Sequence, residues 1–216
     1  MKIMVLKMYE YDKIRMYQKK EELLAIGKEY IKEVDLEAIN NKKAYKEEIC
    51  SGSNLDRGFY NPSPVIDTIV GGYKRGHLLK TLRVRSDTYH HYYWNKENRL
   101  EKVERYYGGT KAETEYLFYD IDTVIGVTVD KHGFNTVSEE KYRNGSIESY
   151  SVMHCDTFDG TNYTCFDFRK EEYIYTGSIL SECIVQRYAP IDDYYWPDRY
   201  KLYYMDGKLV EGHIIK

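Results

Sequence analysis

Ser138-Glu139-Glu140-Lys141-Tyr142-Arg143-Asn144-Gly145-Ser146-Ile147 reads as two strands joined by a tight turn. Asn-Gly accepts positive φ at both central positions of a type I′ turn, whose twist suits two antiparallel strands. Beyond the turn, Ile147, Ser149, Ser151 and Met153 alternate with Glu148, Tyr150 and Val152, which is the period of a strand. Asp206-Gly207 gives the same hairpin signal between Tyr203-Tyr204-Met205 and Lys208-Leu209-Val210. Further turn signals stand at Asn95 to Asn98, Gly108-Gly109, Asp120 to Asp122, Lys131 to Gly133, Asp159-Gly160 and Gly177, mostly about 8 to 13 residues apart. Between two of them Ile125, Val127 and Val129 alternate with Gly126 and Thr128. This spacing predicts an antiparallel meander of ten or more strands over 77–216. No strand pattern alternates with a long helical one, which excludes a parallel α/β fold.

Upstream of His77 the period changes. Leu23, Ile26, Tyr30 and Val34, widened by Leu24 and Ile31, form a helical stripe over Lys13 to Val34. Glu21 and Glu22 come early and Lys28 and Lys32 late, as the helix dipole prefers. Asp35 is placed to cap a second helix running from Leu36 to about Cys50, weakened by Asn40-Asn41 and closed by Gly52. Ser51 to Pro64, with two glycines and two prolines, reads as a connector. Val65 to Val70 reads as either a strand or a helical turn. The expected organisation is a helical lead-in and connector over 1–76 and a meander over 77–216, in one continuous unit.

Tyrosine is the compositional outlier, with 25 among 216 residues against 6 Phe and 2 Trp. Its β propensity and half-polar ring suit sheet faces that are only partly buried. No stretch approaches the roughly 20 apolar residues of a membrane helix, and Met1 to Glu10 has no apolar run of signal-peptide length. The expectation is a soluble, cytoplasmic protein without a membrane partner. The cysteines at 50, 155, 165 and 183 form no Cys-x-x-Cys pair, and we expect them reduced and mostly buried. Residues 1–76 carry a net charge of +2 and residues 77–216 one of −5. An acidic meander disfavours nucleic acid, which needs a basic surface, and suits a basic protein partner.

Motifs that carry chemistry are sparse. Gly71-Gly72 with Gly76 lacks the Gly-Lys-Ser/Thr ending of a phosphate loop. His90-His91 and His154-Cys155 are adjacent pairs, and neighbouring side chains on a strand point to opposite faces, so neither pair favours a shared metal or a nucleophile–base couple. No cofactor, metal site or catalytic residue is expected. Pro190-Ile191-Asp192-Asp193-Tyr194-Tyr195-Trp196-Pro197-Asp198-Arg199-Tyr200 stands out, with aromatic and acidic residues set between two stiffening prolines. Aromatic and Arg side chains are enriched in interface hot spots. Asp192, Asp193, Tyr194, Tyr195, Trp196 and Asp198 are therefore candidate partner-binding residues, and Tyr93 and Trp94, with Tyr89 and Tyr92 beside them, form a second aromatic group. The alternative is that such aromatics merely cover the sheet.

The hairpin units Tyr93-Trp94-Asn95-Lys96-Glu97-Asn98-Arg99-Leu100-Glu101-Lys102-Val103-Glu104 and 138–147 resemble those of β-meander immunity proteins from bacterial polymorphic toxin and contact-dependent inhibition systems. The resemblance covers roughly residues 77–216 and is one of style, resting on Tyr-rich strands and Asn-Gly and Asp-Gly turns. It implies a non-enzymatic protein that binds a cognate toxin domain, a nuclease being one candidate, and occludes its active site. Asp192, Asp193 and Asp198 would then imitate phosphates, and Tyr194, Tyr195 and Trp196 would supply contact area. The sequence thus predicts an α+β, mainly β fold, with toxin neutralisation as the leading function. A carbohydrate-binding or scaffold module of repeated hairpins is the alternative, and a small hydrolase a remoter one.

Overall fold

The structure, a computed structural model, describes residues 2–81, 87–157 and 162–215, without the side chains of residues 2–9 and 33. Helix α1 spans Lys2–Glu33 and α2 spans Leu36–Asn41. Strand β1 is Lys46–Ser51, followed by a 3-10 turn at Gly58–Tyr60 and a π turn at Ile66–Val70. Then come β2 (His77–Leu78), β3 (Tyr89–Trp94), β4 (Leu100–Tyr107), β5 (Thr110–Tyr119), β6 (Thr123–Val129) and β7 (Phe134–Arg143). The last five are β8 (Ser146–Thr157), β9 (Tyr163–Thr176), β10 (Ile179–Ala189), β11 (Tyr194–Met205) and β12 (Lys208–Ile214). All twelve strands form one antiparallel sheet in the order β12 down to β3, then β1 and β2. The meander is as expected. Asn144-Gly145 and Asp206-Gly207 both have positive φ in both residues. Asp159-Gly160 lies outside the described residues.

Three expectations for the local structure need correction. Helix α1 starts at Lys2, eleven residues before the stripe at Lys13. The second helix stops at Asn41, and Lys46–Ser51 is a strand paired with β3 in register from Lys46 opposite Trp94 to Ser51 opposite Tyr89. Asp35 does cap α2, its carboxylate accepting from the Ala38 N–H at 2.8 Å. The residues after Asn41 have no helical stripe to bury, whereas as a strand Ile49 and Cys50 both enter the interior. Val65 to Val70, left open by the sequence, is a π turn. A register shift between Lys141 and Tyr142 also breaks the alternation of β8. Ile147 consequently packs with Tyr150 and Val152, on the face opposite Met153.

Both faces of the sheet are covered. On one lies α1, whose Met16, Leu23 and Gly27 are buried against β6 to β10. Lys13 pairs with Asp193 in the turn before β11 (2.7 Å), and Tyr30 meets Phe118 of β5 with ring centroids 4.3 Å apart. From residue 13 to 30 a helix advances about 26 Å, while six strand spacings measure about 29 Å. Helix α1 therefore crosses the strands nearly at right angles. On the other face runs the 52–76 segment, with Val65 and Ile66 packed on Tyr150, Val152, Tyr173, Cys183, Val185, Tyr200 and Leu202.

Two guanidinium groups fasten that segment. Arg57 donates through Nε and Nη2 to Glu115 (2.9 and 2.6 Å) and through Nη1 to Glu140, all three side chains being buried. The strand between is β6, and its Gly126 leaves the room: an added Cβ would lie 2.6 Å from Ser138 Oγ and 2.9 Å from Arg57 Nη2. Farther along, Arg169 of β9 donates to both oxygens of Asp67 in the π turn (2.7 and 2.9 Å). Its Nε lies 3.1 Å from Glu171, which also accepts from Ser63 and Tyr173. Gly58, at φ +60°, lets the chain pass over β3, where a Cβ would meet His90 Nδ1 at 2.8 Å.

Gly27 tests the α1 contact. Ala is the better helix former by about 1 kcal/mol, but a Cβ there would lie 2.7 Å from Val137 Cγ2 and 2.9 Å from the Phe134 ring, which stacks on Tyr163. We predict that Gly27→Ala is net destabilising by about 1 kcal/mol, because overpacking costs about 1–3 kcal/mol. A raised urea midpoint would contradict the contact.

Candidate partner-binding groove

The expected aromatic–acidic segment is not a loop. Tyr194 to Tyr200 is the first part of β11, paired with β10 from Ala189 opposite Tyr194 to Cys183 opposite Tyr200. Strand alternation then divides its residues. Tyr195 is 1% exposed, buried under α1, and its hydroxyl accepts from Gln186 at 2.9 Å. It offers no contact area, and its place in the surface is corrected. Asp193 points the same way, tied to Lys13 and accepting from the Tyr188 hydroxyl at 3.0 Å, an arrangement that holds its carboxylate below the usual range. Tyr194, Trp196 and Asp198 emerge on the opposite face, the Tyr194 and Trp196 rings 5.0 Å apart. Asp192 is exposed in the turn.

The second aromatic group divides in the same way. Tyr92 is fully buried beneath the crossing segment, accepting from the Phe59 N–H (2.9 Å) and donating to the Arg57 carbonyl (3.1 Å). Trp94 packs edge-on against Tyr60 on that face. Tyr93 faces the α1 side and donates to Glu104 at 2.6 Å, beneath the Lys102 ammonium 4.1 Å from its ring centroid. Tyr89 stacks flat on Tyr106, which donates to the same Glu104 oxygen. Burial opposes the Glu104 charge, yet the two hydroxyls with Lys102 and Lys111 hold it down to about 2. Tyr93 and Trp94 therefore cannot act as one anchor, since they lie on opposite faces.

The face that carries Trp196 also holds a groove lined from distant parts of the sequence. The groove consists of three adjoining depressions of about 220, 230 and 250 Å³, of which the third lies along the 52–76 segment, the first touches it at Asp56, and the second lies beyond it, among residues of 130–135 and 156–157. The first and third share Asp56 and His154, and the first and second share Asn135 and Asp156. Among the described residues the lining holds five carboxylates (Asp56, Asp67, Glu113, Asp130 and Asp156) and two guanidiniums (Arg105 and Arg169). Arg169 is spent on Asp67, and Arg105 on Asp56 (3.1 Å) and Glu113 (2.9 Å). Asp156 is exposed. Arg169 lies opposite Arg187, which lies opposite Trp196, so the Arg187 side chain stands between the third depression and Trp196 on this face.

Two departures from regular strand geometry shape this surface. Between β8 and β9 the register passes from His154 opposite Asp167 to Cys155 opposite Cys165, leaving Phe166 as the extra residue of a bulge. Phe166 is turned outward, 40% exposed, with its ring 6.2 Å from that of His154. At β11 the pairing with β12 ends at Tyr200 opposite Ile214, with one further bond from the Ile215 N–H to the Arg199 carbonyl. Alternation places the Pro197 nitrogen on that same open edge, where its missing N–H interrupts no ladder. The bulge and the groove both depend on pairing between distant residues, and nothing in the local sequence signals them.

Among the described residues no group of three His, Cys, Asp or Glu side chains is placed to hold a metal ion. His90 is buried and kept neutral, its ring pushed down to about 4 by burial and by Arg105. No family model, no curated protein and no solved structure matches the chain.

The clamp beside the groove has a pH signature. Burial pushes the Glu171 carboxyl up, against the pull of Arg169. The folded protein therefore keeps a proton that the unfolded chain has lost, and stability falls as pH rises from the ordinary carboxylate range, about 4.3, through the folded value. Glu171→Gln should flatten that decline in urea unfolding followed from pH 4 upward, whereas Arg169→Met, which strands two buried carboxylates, should cost about 3–5 kcal/mol. Identical pH slopes for Glu171→Gln and the parent would refute the assignment.

Proposed function

We propose that this protein is a binding protein that neutralises a basic bacterial toxin domain, with the acidic groove and the adjoining Tyr194–Trp196–Asp198 strip as its contact surface. One observation carries the reading: depressions lined by five carboxylates and two guanidiniums share one face of the sheet with the exposed rings of Phe166 and Tyr194 and with Trp196. Carboxylates set against low-dielectric walls attract a cationic partner and speed its encounter. Aromatic anchors supply the area that is desolvated on contact. The style of the hairpins, which resembles that of β-meander immunity proteins, supports the toxin as the partner. A toxin domain that grips phosphate is basic where it does so, and Asp130, Asp156 and Asp198, which are not engaged by Arg105 or Arg169, offer substitute anions. The surface is rigid because its strands are paired and its crossing segment is clamped, so little order is lost on binding.

The test begins with tagged full-length protein and lysate of the source cells, washed first at low and then at high salt. We expect recovery of one basic domain, released by salt, that kills cells when expressed alone and spares them when this protein is co-expressed. Trp196→Ala should then weaken binding by about 2 kcal/mol, roughly 30-fold, and Asp156→Lys should slow association. Ile179→Ala, at the opposite end of the strands, should leave binding unchanged. A toxin bound equally well by all three variants would displace the surface but not the function. Absence of any protein whose toxicity is suppressed would overturn the function itself.

A further inference from the structure

We infer that Cys155 and Cys165 are a disulfide-forming pair, a modification site that takes a small thiol oxidant. The inference stands apart from the binding function and rests on the β8–β9 register. Cys155 is directly opposite Cys165 in the antiparallel pair. Residues so placed have Cα atoms about 4.5–5.5 Å apart, inside the window of about 4.4–6.8 Å that a disulfide spans.

The bulge creates the pairing. With an unbroken register His154 opposite Asp167 would be followed by Cys155 opposite Phe166, and Cys165 would point to the other face. Insertion of Phe166 as the extra residue brings Cys165 level with Cys155. Both then enter one apolar cluster under α1, with Met16, Leu23, Phe134 and Phe168. The other two thiols have no such neighbour. Cys50 lies in a separate cluster with Tyr92 and Val103, and Cys183 in another with Tyr173 and Val185.

All four cysteines are free thiols in the structure. Burial pushes Cys155 up to about 12 and Cys165 up to about 11, so neither is a thiolate while α1 is seated. Exchange therefore passes through a local opening, and Cys165, 7% exposed against 1% for Cys155, is reached first. With oxidised glutathione as the oxidant, the Cys165 thiolate attacks one sulfur and releases one glutathione thiolate. The Cys155 thiolate then attacks the Cys165 sulfur of the mixed disulfide and releases the second. Two thiols lose two electrons, the glutathione disulfide gains them, and the two protons pass to the departing thiolates. The product would staple the β8–β9 hairpin beside His154, Asp156 and Phe166, which line the groove.

The full-length protein is equilibrated with mixtures of reduced and oxidised glutathione, natively and in denaturing urea, from both the reduced and the oxidised start. Samples are acid-quenched, alkylated and mapped by peptide mass. The expected result is a Cys155–Cys165 cross-link in the native protein under conditions that leave the urea-unfolded chain reduced. This corresponds to an effective thiol concentration higher by on the order of 100-fold, with Cys50 and Cys183 alkylated throughout. Equal effective concentrations in the two states, or pairing that includes Cys50 or Cys183, would overturn the inference. Approaching equilibrium from both directions prevents slow access to the thiols from passing for absence of the bond.

Discussion

Arg57 can remain charged away from water only because Glu115 and Glu140 meet it from two strands, β5 and β7, with Gly126 of β6 leaving the floor open between them. Burial works against the guanidinium charge, and the two carboxylates more than restore it. The requirement is collective. Removing any one charge strands the others at low dielectric, so register, glycine and crossing segment must all be right together. Arg169 with Asp67 and Glu171 repeats the arrangement farther along. Between the two clamps the 52–76 segment lies flat on the sheet, and its apolar residues cover what would otherwise be an exposed Tyr-rich face.

This arrangement explains how one long sheet serves as a core without a second sheet against it. An open twelve-stranded meander has two faces to bury, and each receives a different cover: a helix laid across the strands on one side, an irregular segment on the other. The helix makes its contacts chiefly through apolar packing, with Lys13 on Asp193 and Lys19 on Glu139 at its flanks. The irregular segment, with backbone hydrogen bonds mainly in its two helical turns, is held by ionic clamps and by side chains that cap its backbone, such as Tyr92 on Phe59 and Asn61 on Ser63. The groove is the margin of that cover, where the segment ends and the strand ends remain in view.

Much of the meander was legible because hairpins are local. Asn144-Gly145 and Asp206-Gly207 need no distant partner to specify their backbone. The Asp35 cap was legible for the same reason. The extent of each strand was less so. Lys46–Ser51 reads as the end of a helix until its pairing with β3 is known. The clamps were not legible at all, because Arg57, Glu115, Gly126 and Glu140 are separated by long stretches of chain and look individually like ordinary surface residues. The candidate site failed in part for a simpler reason. A cluster that is contiguous in sequence on a strand is divided between two faces in space, which sends Tyr195 into the core while Tyr194 and Trp196 stay outside. The bulge at Phe166 reverses that rule locally and adds an aromatic ring to the groove that alternation would have hidden.

The 52–76 segment is an integral layer of the fold, clamped by the buried Arg57 and the half-buried Arg169, and not a connector resting on the sheet. Native-state hydrogen exchange tests it most directly. The Phe59 N–H, bonded to the Tyr92 hydroxyl, and the Ile69 N–H, bonded to the Val65 carbonyl, are suitable reporters. Both amides should exchange nearly as slowly as those of β6 and β7, opening only with the sheet. Rapid exchange at Phe59 and Ile69 while the β6 and β7 amides remain protected would contradict it.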